Sequence, residues 1–160
     1  MATYRTPGVY IEEISVFPPS IAEVETAIPA FIGYTEKTSH AVAGDLKEKP
    51  TRVKSLLEFE FLFGKGPKTK VAEVVIDEAN NFVSASISNS HYLYDSLRLF
   101  FDNGGGSCYI VSVGNYSESI AAEPLERGLD AVSKFDEPTI LLFPDAATLN
   151  ADKLASVQQH

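Results

Sequence analysis

LRLFFDNGGGSCYIVSV, residues 97–113, reads as a helix, a glycine stop and a strand in direct succession. Leu93, Leu97, Phe100 and Phe101 fall at i, i+4, i+7 and i+8, a single apolar stripe along a helix. Asp102-Asn103-Gly104 ends that helix, because the residue just past a helix often needs a positive φ and glycine has no Cβ to oppose it. The residues from Cys108 to Val113 are mostly apolar and β-prone, the pattern of a strand covered on both faces. The order of these parts decides their meaning. A phosphate-cradling glycine loop follows a strand and opens a helix, whereas these glycines follow a helix and open a strand. Asn103, Gly104, Gly105 and Gly106 are therefore expected to form a structural turn and not a nucleotide site.

Outward from this run, the chain from Ala27 onward is predicted to be α/β, a mixed sheet flanked by helices. Residues 28–34 read as a buried strand, and the polar stretch 36–50 as a loop. Ser55-Leu56-Leu57-Glu58 is a capping box opening a helix that closes at Gly64. Residues 71–76 and 82–87 are expected to pair as a hairpin across Asn80-Asn81, since asparagine tolerates the left-handed conformation. Pro124 suits the first position of another helix, with Leu125, Leu129 and Val132 on its apolar face. Residues 139–143 read as a short buried strand stopped by Pro144-Asp145, and Asn150 as the N-cap of a last helix.

Residues 1–24 differ from the rest and are predicted to be an extended β arm ahead of the domain at 25–160. In a strand, Val9, Ile11 and Glu13 face one way, and Tyr10, Glu12 and Ile14 the other. Pro7-Gly8 before this strand and Pro18-Pro19 after it isolate it from any sequence neighbour. Its backbone donors and acceptors must still find partners. Two solutions are open: the edge of its own domain, or another subunit.

Composition narrows the function. Thirteen basic against 22 acidic residues give a net charge of −9, which disfavours a nucleic-acid partner because phosphate neutralisation needs clustered Lys and Arg. No stretch approaches the ~18 apolar residues of a membrane span, so no membrane insertion is expected. The single cysteine excludes an internal disulfide and fits a reducing compartment.

No convergent catalytic, metal or cofactor site emerges from the residues. His40, His91 and His160 lie far apart, without a second ligand at metal spacing. His91 and Asp95 read as a surface helix contact. The stretch 64–69, GKGPKT, lacks the Gly-Lys-Ser/Thr of a phosphate loop and reads as a turn after a helix. Glu12-Glu13 and Asp77-Glu78 are neighbours whose side chains diverge on a strand, so neither makes a shared carboxylate site. Cys108, among apolar residues with no adjacent base, reads as a buried structural thiol.

Three segments carry a family resemblance: TPGVYIEEI at 6–14, IPAFIGYT at 28–35 and FFDNGG at 100–105. In this order and spacing the chain resembles the N-terminal part of the sheath protein of contractile phage tails and tail-like injection particles, over roughly residues 6–145. The resemblance implies a structural protein and no enzyme. Hexameric rings of such subunits stack helically around an inner tube, linked by arms that complete a neighbour's sheet, and contract to drive the tube through a target envelope. It further implies assembly in a bacterial cytoplasm, with other sheath subunits, the inner tube protein, and baseplate and tail terminator proteins as partners. The linking arm would be Tyr4, Pro7, Gly8, Val9, Tyr10, Ile11, Glu12, Glu13 and Ile14. The family's remaining strands, C-terminal domain and C-terminal arm have no counterpart here, which implies a fragment. Two rival expectations stand beside this one: an α/β enzyme, whose site would lie at strand C-termini, and a monomeric module that binds a peptide on a sheet edge.

Overall fold

A computed structural model describes residues 27–88 and 91–159. The predicted arm, Tyr4 and Pro7 to Ile14 included, lies outside the described residues, as does His160. The remainder is α/β, as expected. Its elements run β1 (Pro29–Thr35), β2 (Thr51–Val53), α1 (Leu56–Phe63), β3 (Lys70–Ile76), β4 (Phe82–Ser88), α2 (Leu93–Asp102), β5 (Cys108–Asn115), α3 (Ala122–Val132), β6 (Ile140–Leu142), a 3₁₀ turn (Pro144–Thr148) and α4 (Ala151–Gln159).

β1 and β5 form the centre of a four-stranded sheet ordered β2-β5-β1-β6. β1 runs parallel to both β5 and β6, while β2 runs antiparallel to β5, so the sheet is mixed. Period-two alternation divides the central strands between two cores. Ala30, Ile32 and Tyr34 of β1 join Tyr109, Val111 and Val113 of β5 against Leu125 and Val132 of α3 and Val157 of α4. Phe31, Cys108 and Ile110 point the other way, onto Phe59 and Phe63 of α1 and Leu93 and Leu97 of α2. Two covered faces explain why both central strands read as continuous apolar runs.

The local signals work as the sequence suggests. Ser55 Oγ accepts the Glu58 N–H at 3.2 Å, while the Glu58 carboxylate reaches back to the N–H of Lys54. Gly64, with φ of 85°, closes α1. Asn150 Oδ1 accepts the N–H of Lys153 at 3.0 Å, capping α4.

Three expectations need correction, and one strand was not expected. Pro124 occupies the third helical position of α3, not the first, a place that still requires no N–H donation within the helix. β6 is not buried: Ile140, Leu141 and Leu142 are 45%, 44% and 36% exposed. β6 is the edge of the sheet, with β1 as its neighbour, and its side chains lack the cover that the two helical layers give β1 and β5. β2 falls between the loop expected to residue 50 and the helix opened at Ser55, where no element was expected, because three residues with a single buried side chain leave no periodic signal. His91 is not on an exposed helix face; it is buried just ahead of α2.

β3 and β4 form a separate two-stranded sheet with the expected hairpin connection. Asn80 has φ of 61°, and the Asp77 carboxylate accepts the N–H groups of Ala79 and Asn81 and the Asn81 side-chain amide. Asn81 is also the main reason the Asp77 carboxyl is held below its ordinary value. Among the described residues the hairpin packs substantially on no other element.

Candidate functional site: a stapled cleft, a glycine turn and two open sheet edges

Asn103 to Gly106 lie in the connection from α2 to β5. The N–H of Gly104 donates to Phe101 O at 3.0 Å and that of Gly105 to Phe100 O at 2.9 Å, the paired bonds of a Schellman stop. Gly104 has φ of 82° and open space where a Cβ would be, so conformation alone demands glycine there. Gly105 is confined by space: a Cβ would sit 2.6 Å from the Phe100 ring, which would have to shift. The turn delivers the chain from α2 directly into the centre of the sheet.

In an open α/β sheet, ligands bind beyond the carboxyl ends of the parallel strands. Here that region holds Asp145, a residue that read as no more than part of a strand stop. Its side chain is fully buried. Oδ2 accepts the N–H of Tyr34 at 2.7 Å; Oδ1 accepts those of Tyr92 and Leu93, the latter at 3.1 Å. A register shift between Gly33 and Tyr34 accompanies the first bond, and Gly33 leaves the carboxylate room, since a Cβ there would come within 2.5 Å of it. One carboxylate thus ties the end of β1 to the first turn of α2 from the turn after β6. Burial raises its pKa, against the opposing pull of these three N–H groups. With both oxygens engaged by backbone donors, Asp145 acts as a staple and is not presented to a substrate. The only sequence signal for it is a short polar residue after Pro at a strand end.

Beside the staple, His91 packs between the rings of Tyr34 and Tyr116, at centroid distances of 5.4 and 5.0 Å. Together with Ser117, Glu118, Ser119, Ile120 and Thr148, His91 and Tyr116 line a cleft of about 390 Å³. Tyr116 has its phenol pKa raised, first by burial. Cys108 is buried, as expected, and burial followed by the charge of Glu58 pushes its thiol up to about 12, far from a nucleophile's range. The 64–69 stretch is an irregular connection from α1 to β3, in which the N–H of Lys65 donates to Glu36 and Gly66 lies under the Tyr94 ring. Among the described residues no group of three His, Cys, Asp or Glu could hold a metal ion.

The four-stranded sheet ends in two edge strands, β2 and β6, and they differ in chemistry. β6 presents Leu141 and Leu142 beside a groove of about 630 Å³, whose lining includes Phe143, Leu129 and Val157 together with the polar Ser133 and Gln158. β2 is basic: LKEKPTRVK, residues 46–54, carries four of the chain's 13 Lys and Arg. Lys49 and Lys54, which flank β2, are exposed, and Arg52 donates to Ser107 at 2.8 Å and pairs with Glu137 at 3.4 Å.

No family model matches the chain, and no curated protein matches it. Among solved structures, it is similar to a chain in the cryo-EM structure of the anti-feeding prophage baseplate, at 27% identity over 94% of its length and with a TM-score of 0.46. It spans 39% of that chain.

Proposed function

We propose that this chain is a structural subunit of a contractile tail sheath, and that it performs no catalysis. The observation that carries the reading is the set of three segments, TPGVYIEEI, IPAFIGYT and FFDNGG, in the order and spacing of sheath proteins. The second of them supplies β1, and the third is the turn that feeds β5. These two strands pair in parallel as the centre of the sheet, so the recurrent residues coincide with the framework of a rigid body. The buried polar group at the strand C-termini supports the same reading, because Asp145 is spent on backbone donors. In this role the body from Ala27 onward moves as a unit, and residues 1–24 link it to neighbouring copies in a helical polymer around an inner tube.

Electron microscopy of the purified full-length gene product tests this. Tubular polymers are expected. Removing residues 1–24 should leave the melting temperature of the body unchanged and abolish the tubes. A deletion that unfolds the body would place the arm in its own domain and remove the linking role. Micromolar nucleotide binding by calorimetry, or turnover of an ester or phosphate substrate, would overturn the non-catalytic reading.

A further inference from the structure

We infer that the cleft between His91, Tyr116 and Glu118 is a binding site for an alkylammonium group, the cation of a lysine side chain or of a free amine. Such a site is independent of the sheath reading. The cleft lies just past the end of β5, where open α/β sheets take their ligands, and its volume of about 390 Å³ is that of a small-ligand site. Its walls are fixed before any ligand arrives. Tyr34 Oη donates to Ser119 O and accepts the N–H of Ala121, each at 3.3 Å. The Tyr116 hydroxyl donates to Lys65 O at 3.2 Å, which pins the ring. Glu118 Oε1 accepts the N–H of Asn115 at 3.1 Å, and Gly114 gives the carboxylate its place, since a Cβ there would lie 3.0 Å from Oε2. That second oxygen stands 3.9 Å from Lys47 Nζ, with both side chains partly exposed. An ammonium is thus already drawn to this carboxylate, but at a distance too long for a hydrogen bond, so Oε2 can still accept a closer one. The hydroxyls of Ser117, Ser119 and Thr148 border the cleft and can accept the other N–H groups of an ammonium, which has three. The field here is negative. Burial raises the Tyr116 phenol pKa first, and the charges of Asp145, Glu36 and Asp95 raise it further. Arg127 is held by Glu48 at 2.9 Å and by Glu123 at 2.8 Å and is not offered to an anion. A cation instead meets a carboxylate beside an aromatic face that attracts it.

Nuclear magnetic resonance of the isotope-labelled full chain tests this, with n-butylammonium as the lysine side chain alone and n-butanol as its uncharged counterpart. Butylammonium should shift the amides of residues 116–120, His91 and Thr148 saturably, and butanol should not. Glu118→Gln keeps the oxygen that accepts the Asn115 N–H and loses the charge, so it should weaken binding about tenfold at an unchanged melting temperature. Lys47→Met removes the resident competitor and should tighten binding about threefold. Equal binding of butanol, or an affinity that Glu118→Gln leaves intact, overturns the inference. So do shifts spread over the whole acidic surface, which mark general counterion attraction in a chain of net charge −9. Carbodiimide treatment of the natively purified Lys47→Met chain identifies the source. An amide from Glu118 to a lysine-containing peptide assigns the ammonium to a protein, and a small-amine adduct on Glu118 assigns it to a free amine. A Glu118 that stays unmodified while other exposed carboxylates react also overturns the inference. Tubular polymers are expected by electron microscopy in every one of these cases, so the sheath reading stands or falls apart from it.

Discussion

The central sheet and the β3–β4 hairpin are built from similar strands with opposite fates. β5, CYIVSVGN, is buried along nearly its whole length between two helical layers and two neighbouring strands. The hairpin contains Val71, Val74, Val75, Ile76, Phe82 and Val83, and every one of them is exposed. Apolar content therefore does not decide burial in this molecule. β5 is held by residues far away in sequence, through β1, β2, α2 and α3. The hairpin is held by its own turn, where Asp77 gathers three donors within four residues. A two-stranded ribbon without a packed face is marginal in water, so the stability of the two regions should separate in experiment.

Hydrogen exchange offers the widest separation. Amides of β5 should open only with global unfolding, and those of β3 and β4 by local opening, a difference on the order of a thousandfold or more in protection. Equal protection would mean that the hairpin face is covered in solution.

Asp145→Ala should be the most damaging single substitution in the body. It strands three N–H groups, two of them at the head of α2. A loss of about 3 kcal/mol, or roughly 10 °C in melting temperature, is expected by calorimetry, while hairpin exchange remains as fast as before. The pH dependence carries a sign of its own. Burial raises the Asp145 carboxyl above its ordinary 3.8 in the folded state. The stability this group contributes through its protonated form is full below that value and is lost as pH rises through the raised one. Asp145→Asn has no proton to lose, so the stability gap between wild type and this variant should narrow from pH 4 to pH 7 in denaturant titrations. A gap that widens would show that the three N–H groups outweigh burial.

Two left-handed positions sharpen the contrast further. Gly104→Val forces a β-branched residue to a φ of 82° in the body and should cost on the order of 1–3 kcal/mol. An unchanged melting temperature would show that the stop between α2 and β5 tolerates another conformation. Asn80→Gly, at a φ of 61° in the hairpin, should move the global transition by less than about 0.5 kcal/mol. A larger shift would couple the ribbon to the core.

The sequence by itself determined what depends on a few neighbouring residues. The α2 stop at Gly104, the Ser55 cap, the Asn80 turn and the Asn150 cap all follow from φ preference or hydrogen-bonding reach along the chain. Tertiary structure decided what depends on which elements become neighbours. The run through β6 carries the same apolar signal as β5, yet its place at the sheet edge leaves it exposed. β2 is a strand only because β5 offers a ladder to three residues with little pattern of their own. Asp145 is a staple only because folding brings the end of β1 and the head of α2 to within hydrogen-bond reach of it, across 111 and 52 residues of sequence separation. Buried backbone donors must be satisfied wherever packing leaves them, and no local pattern records where that will be.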